Sequence, residues 1–203
     1  MYRTYIKRGF DIALALFGIC FFALPMAVIA LWIKLDDGGP IFFTQKRVGR
    51  DKSLFDMYKF RTMKTTSPKD CPTHLLSDPE RYITRAGRFL RRSSLDELPQ
   101  LFNILAGHMS VVGPRPALWN QEDLIAERDK YRANALRPGL TGWAQINGRD
   151  ELTQAQKAAF DGEYAAKISF GFDCRCFFGT FLAVVSARGV SEGKKSDSKE
   201  ERE

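Results

Sequence analysis

From Phe10 to Ile33 nearly every position is apolar and Asp11 is the only charged residue. As a helix this run of roughly two dozen residues, at about 1.5 Å each, reaches about 35 Å, enough for a hydrocarbon core of about 30 Å. A cleaved signal peptide and a plain anchor share the pattern, but the run is long for a signal segment and continuous with the chain beyond it. Pro25, near its middle, removes a backbone donor and predicts a kink, compatible with a bent span or with a hairpin returning to the same face. Arg3, Lys7 and Arg8 precede the run, and Lys34, Lys46, Arg47, Arg50 and Lys52 come after it. The positive-inside preference draws both flanks to the cytoplasm, and one segment satisfies both only by entering and leaving on one side. Residues 1–37 are therefore expected to form a re-entrant membrane helix broken at Pro25.

After Gly38-Gly39-Pro40, the aromatic-rich runs Ile41 to Val48 and Leu54 to Arg61 flank a polar, Gly-containing loop, which predicts a β-hairpin. Thr65 to Pro79 reads as a loop. Helical periodicity continues over Thr84 to Arg92, Leu95 to Ala106, Leu118 to Ala135 and Thr153 to Ala166. Phe170 to Val185 carries apolar residues at helical spacing, as a core helix does and as a helix lying on a bilayer also does. The expected fold is α+β and mostly helical: a membrane helix, a small hairpin, and amphipathic helices at the membrane surface. Residues 38–190 are expected to form the main body and 191–203 a charged, disordered tail.

Lys and Arg number 31 against 24 Asp and Glu, a net charge of +7 that favours phosphate-bearing partners: nucleic acid, an anionic membrane face or a nucleotide. Four cysteines without a Cys-x-x-Cys pair, and two histidines, make a zinc site improbable and suggest free thiols in a reducing compartment. The sharper signal is Ser93-Ser94-Leu95-Asp96-Glu97-Leu98-Pro99. Ser94 and Glu97 have the spacing of a capping box, whereas Pro99 favours a register in which Asp96 is itself the N-cap. On either register two adjacent carboxylates sit at a positive helix end. Arg85, Arg88, Arg91 and Arg92 lie upstream and Arg115 downstream. Carboxylates beside guanidinium groups hold together the means to bind a metal and phosphate oxygens.

Four ordered motifs, Lys59-Phe60-Arg61-Thr62-Met63, Ser94 to Gln100, Val112-Gly113-Pro114-Arg115-Pro116 and Arg137 to Arg149, make the chain resemble the bacterial sugar transferases, the small monotopic phosphoglycosyl transferases. The resemblance runs from about Lys7 to the Phe170 segment. It implies a catalytic domain over 38–190 on the cytoplasmic face of a bacterial inner membrane. The implied activity is transfer of a phosphosugar from a UDP-sugar to a polyprenol phosphate, with Mg2+, giving a polyprenol diphosphate sugar and UMP. It further implies Asp96 as the nucleophile that forms a covalent phosphosugar intermediate, and Glu97 as the adjacent acid supporting metal or proton chemistry. Lys59, Arg61, Arg91, Arg115 and Arg149 match basic family positions, where phosphate contact suits the residue type. One departure is Leu24 before Pro25, where the family has a Ser whose hydroxyl can steady the break.

The residues suit that reaction. A carboxylate is ionised at neutral pH without a histidine base, and a phosphate monoester, with a second pKa near 6, already offers a charged oxygen. The implied partners are a UDP-sugar, a polyprenol phosphate and a phospholipid membrane, with no nucleic acid. The alternative from another class is a non-catalytic membrane-anchored protein binding anionic lipid or nucleic acid through its basic face, which leaves the acidic pair unexplained.

Overall fold

The computed structural model describes residues 1–67, 79–148 and 151–185; most of the loop expected over 65–79, Arg149, and the tail expected over 191–203 lie outside them. The apolar run forms α1 (Lys7–Asp37), which continues through Pro25 without interruption. The helix does not break at Leu24-Pro25, contrary to expectation. Proline withholds one donor, and the hydrogen bonds on either side still carry the helix across it.

The buried positions of α1, Asp11, Ala15, Gly18, Ile29 and Ile33, join half-buried Phe22 and Met26 in one stripe at three- and four-residue spacing. That stripe lies along the body for the length of the helix. Ala15 enters the main core with Leu101 and Ile104, and Ile29 and Ile33 enter a second cluster with Phe60, Ala86 and Leu90. Gly18 permits the close approach, since a Cβ there would stand 3.1 Å from Leu101 Cδ1. Polar contacts fasten both ends. Arg8 donates to the carbonyls of Ile104 and Leu105 at 2.7 and 3.0 Å, and Asp11 Oδ1 accepts from Ser110 Oγ and the Val111 N–H, both at 2.9 Å. At the other end Asp36 accepts from the Ala86 N–H at 3.0 Å and Asp37 pairs with Arg61 at 2.7 Å. The opposite face, with Phe17, Phe21, Leu24, Val28, Leu31 and Leu35, is exposed and apolar. The helix is long and apolar enough to cross a membrane, yet both its ends bear on one body.

The hairpin forms as expected from β1 (Phe42–Val48) and β2 (Leu54–Phe60), antiparallel, with Phe42 opposite Phe60 and Val48 opposite Leu54. Next come α2 (Arg85–Ser93), capped by Thr84, a 3₁₀ turn over Leu95–Glu97, and α3 (Gln100–Leu105). Asn103, fully buried on α3, accepts from the Tyr58 N–H at 2.9 Å and donates to the Asp56 carbonyl at 2.8 Å, so it pins α3 to the open edge of β2. Two three-residue strands that the sequence pattern does not announce, β3 (Ser110–Val112) and β4 (Gly139–Thr141), pair in parallel. The helix expected over 118–135 is shorter, α4 (Glu122–Asp129) followed by a 3₁₀ turn at Ala133–Ala135.

After the short α5 (Trp143–Ile146), α6 (Gln154–Lys167) opens on a capping box of Thr153 and Gln156. The last helix is α7 (Phe170–Val185). It buries Asp173 and Cys176 in the body and leaves Phe170 and Phe178 exposed. Asp173 accepts from Tyr2, Lys7 and Tyr164 at 2.6, 2.8 and 2.6 Å, tying α7 to α6 and to the start of α1. The architecture is a mostly helical α+β fold with one long apolar helix and a small antiparallel hairpin.

Asp11 provides a stability test. Asp11→Ala strands the buried Val111 N–H, while Ser110 Oγ keeps the Val112 carbonyl at 3.0 Å as acceptor, and the expected cost is about 2 kcal/mol. Asp56→Ala, which removes an exposed pair with Lys46, is expected to cost less than about 0.5 kcal/mol. Denaturation of both variants in the same detergent micelle measures the difference.

Candidate active site

The site is assembled where β2 ends, α2 stops and β3 leads into a proline-flanked arginine. Along β2, Phe55 and Met57 point into the main core, and Lys59 on the same face points to the acidic pair. α2 ends on Ser94 in the left-handed region (φ 56°), and Asp96 and Glu97 come at once in the 3₁₀ turn. Neither expected cap register forms: no side-chain cap bond is made at Ser94, and α3 begins only at Gln100, after Pro99. The carboxylates thus precede the helix instead of capping it. Ser94 must leave the helix and Pro99 cannot donate to a preceding turn, so the local chain breaks into two short pieces.

Arg115 is fixed by backbone contact between distant motifs. Gly113 donates to the Thr141 carbonyl and Gly139 to the Pro114 carbonyl, both at 2.8 Å. A Cβ on Gly139 would stand 2.1 Å from Gly113 N, so only glycine admits this approach. Arg128, buried and paired with Asp161 at 2.7 Å, donates to the Arg115 carbonyl at 2.9 Å. Arg91 is positioned similarly. Gly87, one turn earlier on α2, lets the helix settle on Thr62, whose carbonyl would stand 2.0 Å from a Cβ at that position. Arg91 Nε then donates to Thr62 Oγ1 at 3.0 Å.

Lys59 Nζ lies 2.8 Å from Glu97 Oε1 and 3.6 Å from Asp96 Oδ2, and Arg115 Nη2 lies 3.4 Å from Glu97 Oε1. Asp96 is 9% exposed. Burial lifts its carboxyl above the usual carboxylate range, the nearby Glu97 charge adds to the rise, and Lys59 and Arg91 oppose it. The helix dipole read from the sequence is not what governs this group. It is a desolvated carboxylate held by cations, with Glu97 as the more heavily paired neighbour.

Of the residues singled out in the sequence, the structure brings together Asp96, Glu97, Lys59, Arg91 and Arg115. Arg61 goes elsewhere: it pairs with Asp37 and donates to the Gly38 carbonyl, closing the C-terminal end of α1. Arg149 lies outside the described residues, and Pro25 is in mid-helix. Asp96 and Glu97 are hard oxygen donors of the kind Mg2+ takes, one or two carboxylates with the remaining positions left to water and phosphate oxygens. Among the described residues no third His, Cys, Asp or Glu converges with them.

One polar residue outside the four motifs also lies here. Arg47 counted only as a flanking charge, but strand alternation sets it and Gln45 on the inward side of β1 while Lys46 is exposed. There Arg47 lines one cleft with Arg115 and Gln145. The available signal was that alternation.

A family model described as bacterial sugar transferase matches residues 2–187. The chain is 38% identical over 187 residues to the uncharacterized sugar transferase EpsL of Bacillus subtilis (strain 168), covering 92% of this chain and 91% of that one. It is 39% identical over 186 residues to the UDP-glucose:undecaprenyl-phosphate glucose-1-phosphate transferase of Escherichia coli (strain K12), covering 85% of this chain and 39% of that protein. A third similarity, 35% over 196 residues, is to the UDP-N-acetylgalactosamine-undecaprenyl-phosphate N-acetylgalactosaminephosphotransferase of Aeromonas hydrophila, covering 92% and 45%.

The electrostatics of Asp96 can be tested without any substrate. Lys59→Met removes a cation that favours the charged form, so the Asp96 titration should move up and its protonated fraction at a given pH should rise. Infrared difference spectra over a pH series, with the band assigned by its loss in Asp96→Asn, measure the shift. An unchanged midpoint would mean that Lys59 acts on Glu97 alone.

Proposed function

The chain belongs to the bacterial sugar transferase family and is a sugar-phosphate transferase, and from that premise we propose that it moves a phosphosugar from a UDP-sugar to a polyprenol phosphate through an aspartyl-phosphosugar intermediate on Asp96. The non-catalytic alternative falls with that membership. The observation that carries the reading is the desolvated Asp96 beside Glu97, under Lys59, Arg91 and Arg115, in a body fastened along an exposed apolar helix.

In the first half reaction an Asp96 carboxylate oxygen attacks the sugar-linked phosphorus. The bond to the bridging oxygen breaks, UMP leaves with that bonding pair, and an acyl phosphate remains on Asp96. In the second, an oxygen of the polyprenol phosphate attacks the same phosphorus, and Asp96 departs as a carboxylate. Neither half needs a histidine. Lys59 and Arg91 favour the ionised nucleophile, and Arg115 faces the diphosphate charge. Bound through Asp96, Glu97 and donor phosphate oxygens, Mg2+ would offset the repulsion between the attacking anion and the diphosphate. Glu97 is read as a metal ligand and not as an obligatory base.

The fastening of α1 at both ends to one body supports a monotopic placement, its exposed face dipping into the bilayer and both flanks on the cytoplasmic side. The nucleotide donor is water-soluble and the polyprenol lipid-bound, and this placement lets both reach Asp96.

The protein in nanodiscs containing polyprenol phosphate, given a panel of UDP-sugars, is expected to release UMP with only some sugars and only with Mg2+. Asp96→Asn should lower release by on the order of a thousandfold or more, since a neutral amide does not attack phosphorus. Arg115→Lys keeps the charge but loses the planar fork, and should lower turnover at an unchanged melting temperature. Release that persists in Asp96→Asn would overturn the reading. For topology, cysteines placed singly at positions 3 and 200 in a cysteine-less background should both resist an impermeant thiol reagent in intact cells, and labelling at position 3 alone would establish a full span.

A further inference from the structure

A cleft at the N-terminal end of α1 shares no residue with the site around Asp96. Arg3, Lys7 and Arg8 line it from the start of the helix, Arg50 from the hairpin loop and Arg137 from just before β4, and among the described residues Asp11 is the acid in the lining. Arg137 opens the fourth sequence motif, yet the two half reactions give it no part. The nearby acids are already committed. Asp11 accepts from Ser110 and Val111, Asp173 takes Lys7 at 2.8 Å, and Asp51 pairs with Arg50 on the surface at 3.1 Å. Arg8 and Arg137 spend donors on neutral carbonyls instead, Arg8 on Ile104 and Leu105 and Arg137 Nε on Gly107 at 2.9 Å. Arg3, Arg8 and Arg137 make no ion pair among the described residues, so the cleft carries positive charge in excess.

Partial burial, and then the charges of Arg8 and Arg50, lower the Arg137 guanidinium from its usual range, with Asp11 opposing. An anion seated among these groups would relieve that repulsion. An apolar rim adjoins the cations. Ile168 lines the cleft, and Phe10 and Phe170, close in sequence to lining residues, are both exposed and pack at 5.2 Å between ring centroids. Tyr2 meets Phe170 at 6.2 Å. Phe10 also begins the exposed stripe of α1 that continues at helical spacing through Leu14, Phe17 and Phe21. Cations and aromatic rings at the end of an apolar helix face are the arrangement found at the headgroup level of a bilayer. A nucleic acid would use the cations and leave the stripe without a role.

We propose that this cleft holds the phosphodiester headgroup of an anionic phospholipid, its non-bridging oxygens on Arg137, Arg3 and Arg50 and its acyl chains along Phe10, Leu14 and Phe17. The inference rests on the monotopic placement in the proposed function and not on the phosphosugar chemistry. Filling the cleft offsets the repulsion among Arg8, Arg50 and Arg137 beside the pairing of β3 with β4, so the bound lipid stabilises the body as well as anchoring it.

The test is native mass spectrometry of the full chain released from nanodiscs of phosphatidylcholine and phosphatidylglycerol in equal amounts, counting the lipids it retains. Wild-type protein should retain phosphatidylglycerol over phosphatidylcholine by about fivefold or more, the effect of roughly one basic residue near a charged surface. Arg137→Gln should abolish the preference, and so should Arg3→Gln, which removes an exposed side chain without an ion pair and leaves the fold intact. Lys130→Gln, an equal loss of charge at an exposed site outside the cleft, should keep it. Equal retention of both lipids by wild-type protein, or an equal loss of preference in Lys130→Gln, would overturn the site. Glycerol phosphate titrated calorimetrically into the protein in phosphatidylcholine nanodiscs should give no saturable heat; saturable binding lost in Arg137→Gln would overturn the lipid in favour of a soluble phosphate. Equal lipid retention together with shielding of positions 3 and 200 from the thiol reagent would overturn this inference and leave the monotopic placement standing, whereas labelling at position 3 alone would overturn both.

Discussion

The structure depends on the docking of a 31-residue apolar helix lengthwise against the body. Apolar packing alone would let such a helix slide or rotate, because its sides are chemically alike. Asp11 removes that freedom. Its carboxylate accepts from Ser110 Oγ and from the buried Val111 N–H of β3, so sliding or rotating the helix would leave that N–H without its acceptor. Asp36, Asp37 and Arg8 repeat the device toward the ends. The strand that Asp11 holds leads through Gly113 to Arg115, and the α3 segment that Arg8 caps comes directly after Asp96 and Glu97. The membrane contact and the acidic pair therefore belong to one rigid arrangement.

That arrangement explains why the acidic pair is built from short, broken elements. A continuous helix over 95–106 would place Asp96 and Glu97 on the helix surface about 100° apart, with solvent to stabilise them. The 3₁₀ turn instead inserts both beneath Lys59 and Arg115 and takes Asp96 out of water. Desolvation raises the free energy of its charge, and the surrounding cations keep the charged form accessible. A carboxylate in that condition is poorly solvated and has little hydration to shed before it attacks.

Local signals carried much of this. Aromatic-rich runs around a Gly-containing loop marked the hairpin, Thr84 and Thr153 marked two helix starts, and the run from Phe170 marked α7 with its bounds. The four motifs located most of the acidic site, because residues that bind phosphate and metal are conspicuous whatever the fold. The rest depends on contacts between distant segments. β3 and β4 are three residues each, too short for a periodic signature, and exist because Gly113 and Gly139 allow backbone to touch backbone. Arg61 sits in the same motif as Lys59, yet the chain turns after Phe60 and gives it to Asp37. Pro25 reads as a break but lies within a helix that runs on past it. Arg47 and Gln145 look like ordinary polar residues until the fold buries them with one group each unpaired.

The central claim is that Asp96, and not its neighbour, takes the phosphosugar. Intact-protein mass spectrometry on the full chain, given Mg2+ and a sugar-labelled UDP-sugar but no polyprenol phosphate, tests it most directly, with digestion afterwards to locate the label. The account predicts a gain of one phosphosugar, a burst of about one equivalent of UMP, and label on a peptide at Asp96, with some adduct persisting in Glu97→Gln. Label on Glu97, or full transfer activity with no adduct when the acceptor is withheld, would contradict it.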